Sequence, residues 1–232
     1  MLFALPGQRP GIGALVIVLA LGCACPTACS TAAESVSPGA AAATARINPA
    51  NIRRIAGELP PGYEVAKVTG VSAPAQLWGL RPAATVRPPQ CAALTDPADG
   101  RARSAQGVSG SGGGGILDAV VVAPPSGPVT PDPNVVTQCT RFTMSTGHTR
   151  AGVRLVDAPR IDGVATLGIA GDITTSVEGG AEIVSHAYAF TAYLGDYYAF
   201  TTLITEPGST DSPLTPQFAA DLLVKTVSAL RR

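Results

Sequence analysis

The hydrophobic positions of this chain change their spacing several times, and each change predicts a different kind of structure. Residues 11–22 (GIGALVIVLALG) are apolar without interruption. The run falls short of the roughly 20 residues that span a bilayer and suits the apolar stretch of a secretory signal. Residues 30–46 are mostly Ala, Ser, Gly and Thr with no apolar side chain larger than Val36, a composition that gives a flexible tether. Asn48-Pro49 then opens a helical period, since Asn caps a helix and Pro suits its first position. Ile52, Ile55, Ala56 and Leu59 fall on one stripe, and Pro60-Pro61-Gly62 stops it. Residues 63–68 read as a strand. Residues 72–97, rich in proline and holding Trp78, read as irregular but packed. Residues 107–115 are nearly all Gly and Ser and are expected to form a mobile loop. The short apolar run 116–123 is expected to be a buried strand, and 124–133 a second, proline-rich loop.

Beyond this point the period becomes two, the signature of strands. Residues 135–145 place Val136, Thr140, Phe142 and Met144 on one face. Strands 150–156 and 164–177 follow, separated by turn signals at Pro159-Arg160-Ile161-Asp162-Gly163. The clearest hairpin joins 182–194 to 197–205 through Gly195-Asp196. Glycine at the first position of a two-residue turn suits type II′ geometry. That register sets Tyr193 opposite Tyr198 and Phe190 opposite Thr201, pairs worth about 0.2–1 kcal/mol each. Thr215-Pro216 starts a last helix with Ala219, Leu222, Leu223, Thr226 and Leu230 on its inner face and Arg231 and Arg232 at its favourable C-terminal end. The order predicts an α+β fold: an antiparallel β-sheet meander with the N- and C-terminal helices packed on one face.

Composition adds compartment and size. The chain has 232 residues, with 16 basic and 16 acidic side chains and no net charge. No basic cluster exists to meet a phosphate backbone, so nucleic acid is not an expected partner. Arg9 precedes the apolar run and Cys23, Cys25 and Cys29 follow it, each behind a small residue. This resembles a bacterial lipoprotein signal, with Cys23 as the expected lipidation site and Cys25 and Cys29 as alternatives. Acyl chains on one cysteine would anchor the protein to the membrane, at about 0.8 kcal/mol per buried CH₂. Cleavage near Ala32-Ala33 without lipid is the plainer alternative. Residues 1–29 are thus read as signal, 30–46 as tether and 47–232 as a single domain.

The domain holds two cysteines, Cys91 and Cys139. In an exported protein an isolated pair reads as a disulfide, and closing a loop of this length contributes about 4 kcal/mol in the chain-entropy picture. A reactive thiol is the other reading. His148 falls in a turn, and His186 alternates with Tyr188 and Phe190 in a strand. Neither has a second histidine at metal-ligand spacing, and no metal or cofactor is expected. Gly107-Val108-Ser109-Gly110-Ser111 approaches a nucleophile elbow but ends in serine and lacks the strand–turn–helix context. Asp157, Asp162, Asp172, Glu178 and Glu182 sit at apparent turns, where solvated carboxylates are common. No catalytic residue is assigned. The aromatic set, Trp78, Tyr188, Tyr193 and Tyr198 among it, offers a candidate binding surface for a ligand or partner, or alternatively packs beneath a helix.

Pro60-Pro61-Gly62-Tyr63-Glu64-Val65, Leu77-Trp78-Gly79, Pro88-Pro89-Gln90-Cys91-Ala92-Ala93-Leu94 and the later Cys139 together resemble a family of mycobacterial exported lipoproteins of unknown function. More distantly the chain is similar to the extracellular sensor domain of a mycobacterial serine/threonine kinase, an α+β cleft protein with two disulfides where this domain offers one cysteine pair. The resemblance implies location outside the cytoplasmic membrane and a non-catalytic, sensor-like role, binding a small molecule, a lipid or an envelope protein. Two other readings stand beside it: an envelope hydrolase using His186 and nearby carboxylates, and a structural protein of the wall with an exposed aromatic patch and no pocket.

Overall fold

Residues 116–123 (ILDAVVVA) are apolar on both faces apart from Asp118, so their strand must be covered on both sides. A computed structural model describes residues 46–80, 84–205 and 212–232, which belong to one compact unit, Thr44–Arg232. The signal run, Cys23, Cys25, Cys29 and the tether up to residue 45 lie outside the described residues.

The strands are β1 (Glu64–Thr69), β2 (Thr85–Arg87), β3 (Ser104–Gly112), β4 (Gly115–Ala123), β5 (Arg141–Thr146), β6 (Thr149–Val156), β7 (Ala165–Ser176), β8 (Glu182–Tyr193) and β9 (Tyr198–Thr205). They form one sheet in the order β1-β3-β4-β9-β8-β7-β6-β5-β2. Every pairing is antiparallel. β4 and β9 lie at its heart, and their successive side chains point into two different cores.

One face is covered by two helices. The first, Pro49–Glu58, is wound as a 3₁₀ helix, with the Asn48 side chain accepting from the Ala50 N–H. The second is α4 (Pro216–Leu230). They are tied together: Asn51 Nδ2 donates to the carbonyls of Ala229 (3.1 Å) and Arg232 (2.7 Å), and the Asn48 N–H donates to Leu230. Between them and the sheet, Ile52, Ile55, Leu117, Val121, Leu203, Leu222 and Leu223 are buried. Each such side chain contributes roughly 1.5–3 kcal/mol on burial. The inner face expected of α4 is the observed one, with Ala219, Leu222, Leu223, Thr226 and Leu230 all buried.

The opposite face is covered by the proline-rich segment, which folds into three short helices: α1 (Pro74–Leu77), a 3₁₀ turn (Pro89–Cys91) and α2 (Ala92–Thr95). Trp78 packs over Gly171 of β7, where an added Cβ would lie 3.0 Å from the indole. Tyr198 Oη donates to the Ser72 carbonyl at 2.6 Å. The Cys91–Cys139 disulfide, Cα–Cα 5.6 Å, ties this layer to the start of β5, and both cysteines are fully buried.

Two expectations fail. Residues 107–115 are no mobile loop: they are the end of β3, the turn and the start of β4. Glycine is needed there because neighbours occupy the space of a side chain. A Cβ on Gly107 would run into the Ala119 carbonyl and Val120, and one on Gly110 would lie 2.8 Å from Leu59. The second failure is the strand 135–145. Residues Pro133–Gln138 form helix α3, and only Arg141–Thr146 pair as a strand, with Phe142 and Met144 buried and Thr140 exposed outside it. Asp132 caps the helix by accepting from the Asn134 N–H at 2.8 Å, and Pro133 supplies its first residue. That cap outweighs the β preference of Val135 and Val136. The 182–205 hairpin keeps its expected register, Tyr193 opposite Tyr198 and Phe190 opposite Thr201.

A buried carboxylate crosses the middle of the sheet. Ser109, Asp118 and Thr202 are register partners on β3, β4 and β9. Thr202 Oγ1 donates to Asp118 Oδ2 at 2.8 Å, and Asp118 is 2% exposed. Burial raises its pKa, with hydroxyl donors from Ser109 and Thr202 acting the other way.

Two outcomes are expected. Gly107→Ala should cost about 1–3 kcal/mol from overpacking, whereas Gly152→Ala, with nothing within 4 Å of the new methyl, should be neutral or slightly stabilising; urea unfolding of the two variants measures the contrast. The second concerns pH. A carboxyl whose folded pKa is raised binds more protons folded than unfolded, so it favours folding below its ordinary value of 3.8 and loses that contribution as pH rises through the higher folded value. Asp118→Asn should therefore gain stability relative to the parent as pH is raised from about 4 to neutral, read from unfolding midpoints across that range. A difference that shrinks with pH contradicts the sign.

Candidate functional site

The layer opposite the two helices is where chain geometry leaves room. Its pieces are too short and proline-broken to close over the sheet completely. A pocket of about 240 Å³ opens between α1, β2, α2 and β5. Ala75, Leu80, Val86 and Met144 give it apolar walls, and Gln76 and Asp96 give it polar groups. Val86 and Met144 are register partners of β2 and β5, so one wall is fixed by sheet pairing. Another wall, Ala92 and Ala93, directly follows Cys91 and is fixed by the disulfide.

Asp96 is the chemically distinctive member. Its Oδ1 is shielded from solvent and has no hydrogen-bond partner among the described residues. Burial raises its pKa, the Gly100 and Ala98 backbone N–H groups lower it, and the Asp99 charge raises it again. Asp99 also lines the pocket but is 85% exposed and pairs with Arg101 at 2.9 Å, so it stays at the rim. Thr95 Oγ1 is committed to the Ala92 carbonyl, and Gln76 Oε1 accepts from the Ser72 N–H at 2.8 Å. The lining holds no cysteine, histidine or serine. This arrangement can hold and orient a small molecule, and it assembles no nucleophile with a base.

The four aromatic residues of the expected binding surface are separated. Trp78, Tyr193 and Tyr198 are buried, at 3%, 6% and 0% exposure, in the core of the pocket face. Burial raises the pKa of both tyrosines. Tyr188 lies half-buried on the helix face. Period-two alternation requires this split, since 188 and 193 differ by an odd number. The four rings therefore line no common surface. Trp78 caps the C-terminal end of α1, two positions from the pocket-lining Gln76 and Leu80. Its Nε1 is buried without a partner among the described residues.

His186 lies on the helix face of the sheet beyond the edge of the helices. Asp172 of β7 is its register partner, and His186 Nδ1 meets Asp172 Oδ1 at 2.8 Å. Strand pairing thus brings together a histidine and a carboxylate that sequence could only list as separate candidates. Both side chains are substantially exposed, 46% and 69%. Among the described residues no hydroxyl or thiol bonds to the ring. Glu182 is engaged with Arg150 at 2.7 Å, and His148 is exposed in the β5–β6 turn. Among the described residues no three His, Cys, Asp or Glu side chains gather as metal ligands, and no helix is long and apolar enough to cross a membrane.

Comparison with known proteins bears on the fold. An X-ray structure of an uncharacterised Mycobacterium smegmatis protein, the Rv0999 ortholog, superposes with a TM-score of 0.59 at 21% identity, covering 82% of this chain and 100% of that one. The extracellular domain of PknH from Mycobacterium tuberculosis gives a TM-score of 0.40 at 14% identity, covering 79% of this chain and 93% of that one, a likeness too distant to inform the site. No curated protein matches the sequence. The model of a domain of unknown function, DUF5642, matches residues 48–231, and the chain belongs to that family.

Proposed function

We propose that this chain is an exported, lipid-anchored protein of the cell envelope whose domain binds a small ligand without transforming it. The observation that carries the binding role is the pocket beside Asp96: apolar walls held by a disulfide and a strand pairing, a shielded carboxylate at Asp96 with Asp99 at the rim, and no cysteine, histidine or serine. Fixed walls favour binding because little order is lost when the ligand enters. Export rests on the secretory pattern ahead of Cys23 and on the bonded Cys91–Cys139 pair, which suits an oxidising compartment. Anchoring rests on Cys23, with Cys25 and Cys29 as alternatives.

One observation favours a hydrolase instead, the 2.8 Å contact that orients His186. It supports that reading weakly, because the pair stands on an open, solvated strand surface. The wall-structural reading anticipated a broad exposed aromatic patch and no pocket; the aromatic residues are largely buried and a pocket is present.

Trp78 is the single tryptophan of the chain and lies between the pocket-lining Gln76 and Leu80 in sequence, so its fluorescence reports on the neighbourhood of the pocket. Titration with small-molecule fractions of envelope extract should shift that emission saturably, and Ala93→Trp, which places a bulky ring at the exposed mouth, should abolish the saturable shift in the unfolding midpoint that the same fraction produces. Saturation that survives the filled mouth would place binding elsewhere. For export and anchoring, intact mass of the protein recovered from the membrane fraction should show cleavage before Cys23, added acyl mass, and two hydrogens fewer than the reduced domain. An uncut, fully reduced chain overturns this part of the reading.

A further inference from the structure

The helix face of the sheet carries a second feature that does not depend on the pocket. Arg141 of β5 and Arg154 of β6 are direct register partners, which sets their Cβ atoms about 4.5–5.5 Å apart. Like charges placed so are unfavourable, and none of the ion pairs among the described residues relieves them. Asp172, one row away, is turned to His186, and Arg150 is satisfied by Glu182. The row continues from Arg154 through Ala170, a side chain too small to block it, to Tyr188.

An apolar groove begins where that row ends. Tyr188, Phe190, Val156, Pro216 and Ala220 line about 360 Å³ between the strands and the start of α4. Arg154 stands two residues before Val156 on the same face of β6, and its row across the sheet leads through Ala170 to Tyr188, so it adjoins two of the groove's lining residues. Positive charge beside an apolar floor would orient a guest that has an acidic head and an apolar tail.

We propose that this groove binds a single-chain anionic amphiphile, with its oxyanion head on Arg141 and Arg154 and its tail along Val156, Tyr188 and Phe190. Guanidinium groups suit such heads because they donate paired N–H bonds to two oxygens. The head relieves the Arg141–Arg154 repulsion while the tail covers the half-buried Val156 and Tyr188.

The test is calorimetric titration of the purified protein with decyl phosphate, with decyl maltoside and with inorganic phosphate, each below any micelle concentration. Decyl phosphate should bind one to one. Decyl maltoside, which keeps the tail but lacks the charge, and inorganic phosphate, which keeps the charge but lacks the tail, should each bind at least about ten-fold more weakly. Arg141→Gln combined with Arg154→Gln should weaken decyl phosphate about ten-fold, the size expected for two exposed ion pairs, and leave decyl maltoside unchanged. Arg141 is exposed and Arg154 half-buried, and removing their mutual repulsion should leave the unfolding midpoint unchanged or raise it, so the loss of binding would not be a loss of fold. Ala93→Trp, which fills the pocket on the other face, should leave decyl phosphate binding intact; that separates this site from the one proposed above. No binding of decyl phosphate, equal binding of the two decyl compounds, inorganic phosphate binding as tightly as decyl phosphate, or indifference to the arginine substitutions would each overturn the proposal.

Discussion

Burial of β4 and β9 from both sides is the constraint on which the rest of the structure depends. Leu117, Val121 and Leu203 face the two helices, while Val120, Val122, Tyr198 and Phe200 face the proline-rich layer. Neither cover is continuous or regular enough to be stable alone. The 3₁₀ helix is short, and the opposite layer consists of helices only three or four residues long. Isolated helices of such length do not persist in water. They are held because the sheet offers an apolar surface that water must otherwise cover, and because specific polar ties fix them: Asn51 to the C-terminus, Tyr198 to Ser72, and Cys91 to Cys139.

Close approach of these covers explains the unusual glycine content of the sheet. Gly107, Gly110, Gly112 and Gly171 are positions where Val120, Leu59, Tyr63 and Trp78 occupy the space of a side chain. Sequence reasoning takes a Gly and Ser run as a mobile loop because glycine lacks a preference of its own for strands. The tertiary environment reverses this, since absence of a side chain is what lets a neighbour pack against the strand. The same logic makes the pocket: a cover of short pieces over a flat sheet leaves a gap where two pieces fail to meet, and β2 and the disulfide hold that gap open between fixed walls.

The two faces also divide the chemistry. The pocket face encloses its polar groups, and burial raises the pKa of Asp96 and Asp118 alike. The helix face, where the helices stop short of β5 and β6, leaves arginines, Asp172 and His186 in water. Desolvated groups serve selective binding of small molecules, whereas solvated charge suits broad recognition of a charged head or surface.

Much of this was legible from local signals. Caps and prolines marked the terminal helices, alternation marked β5 to β9, and Gly195-Asp196 fixed the hairpin register, because these depend on backbone preferences within a few residues. A Cys91–Cys139 pairing was readable too, since an isolated pair has one way to bond. What only the tertiary structure decided is everything that depends on partners distant in sequence. It made residues 107–112 a strand, turned Val135-Val136 into a helix, and sent Tyr188 and Tyr193 to opposite faces. It also set Asp172 beside His186, placed Arg141 beside Arg154, and put Asp96 against a pocket. The physical reason is the same in each case: packing and strand register bring together side chains whose joint chemistry no local run of residues contains.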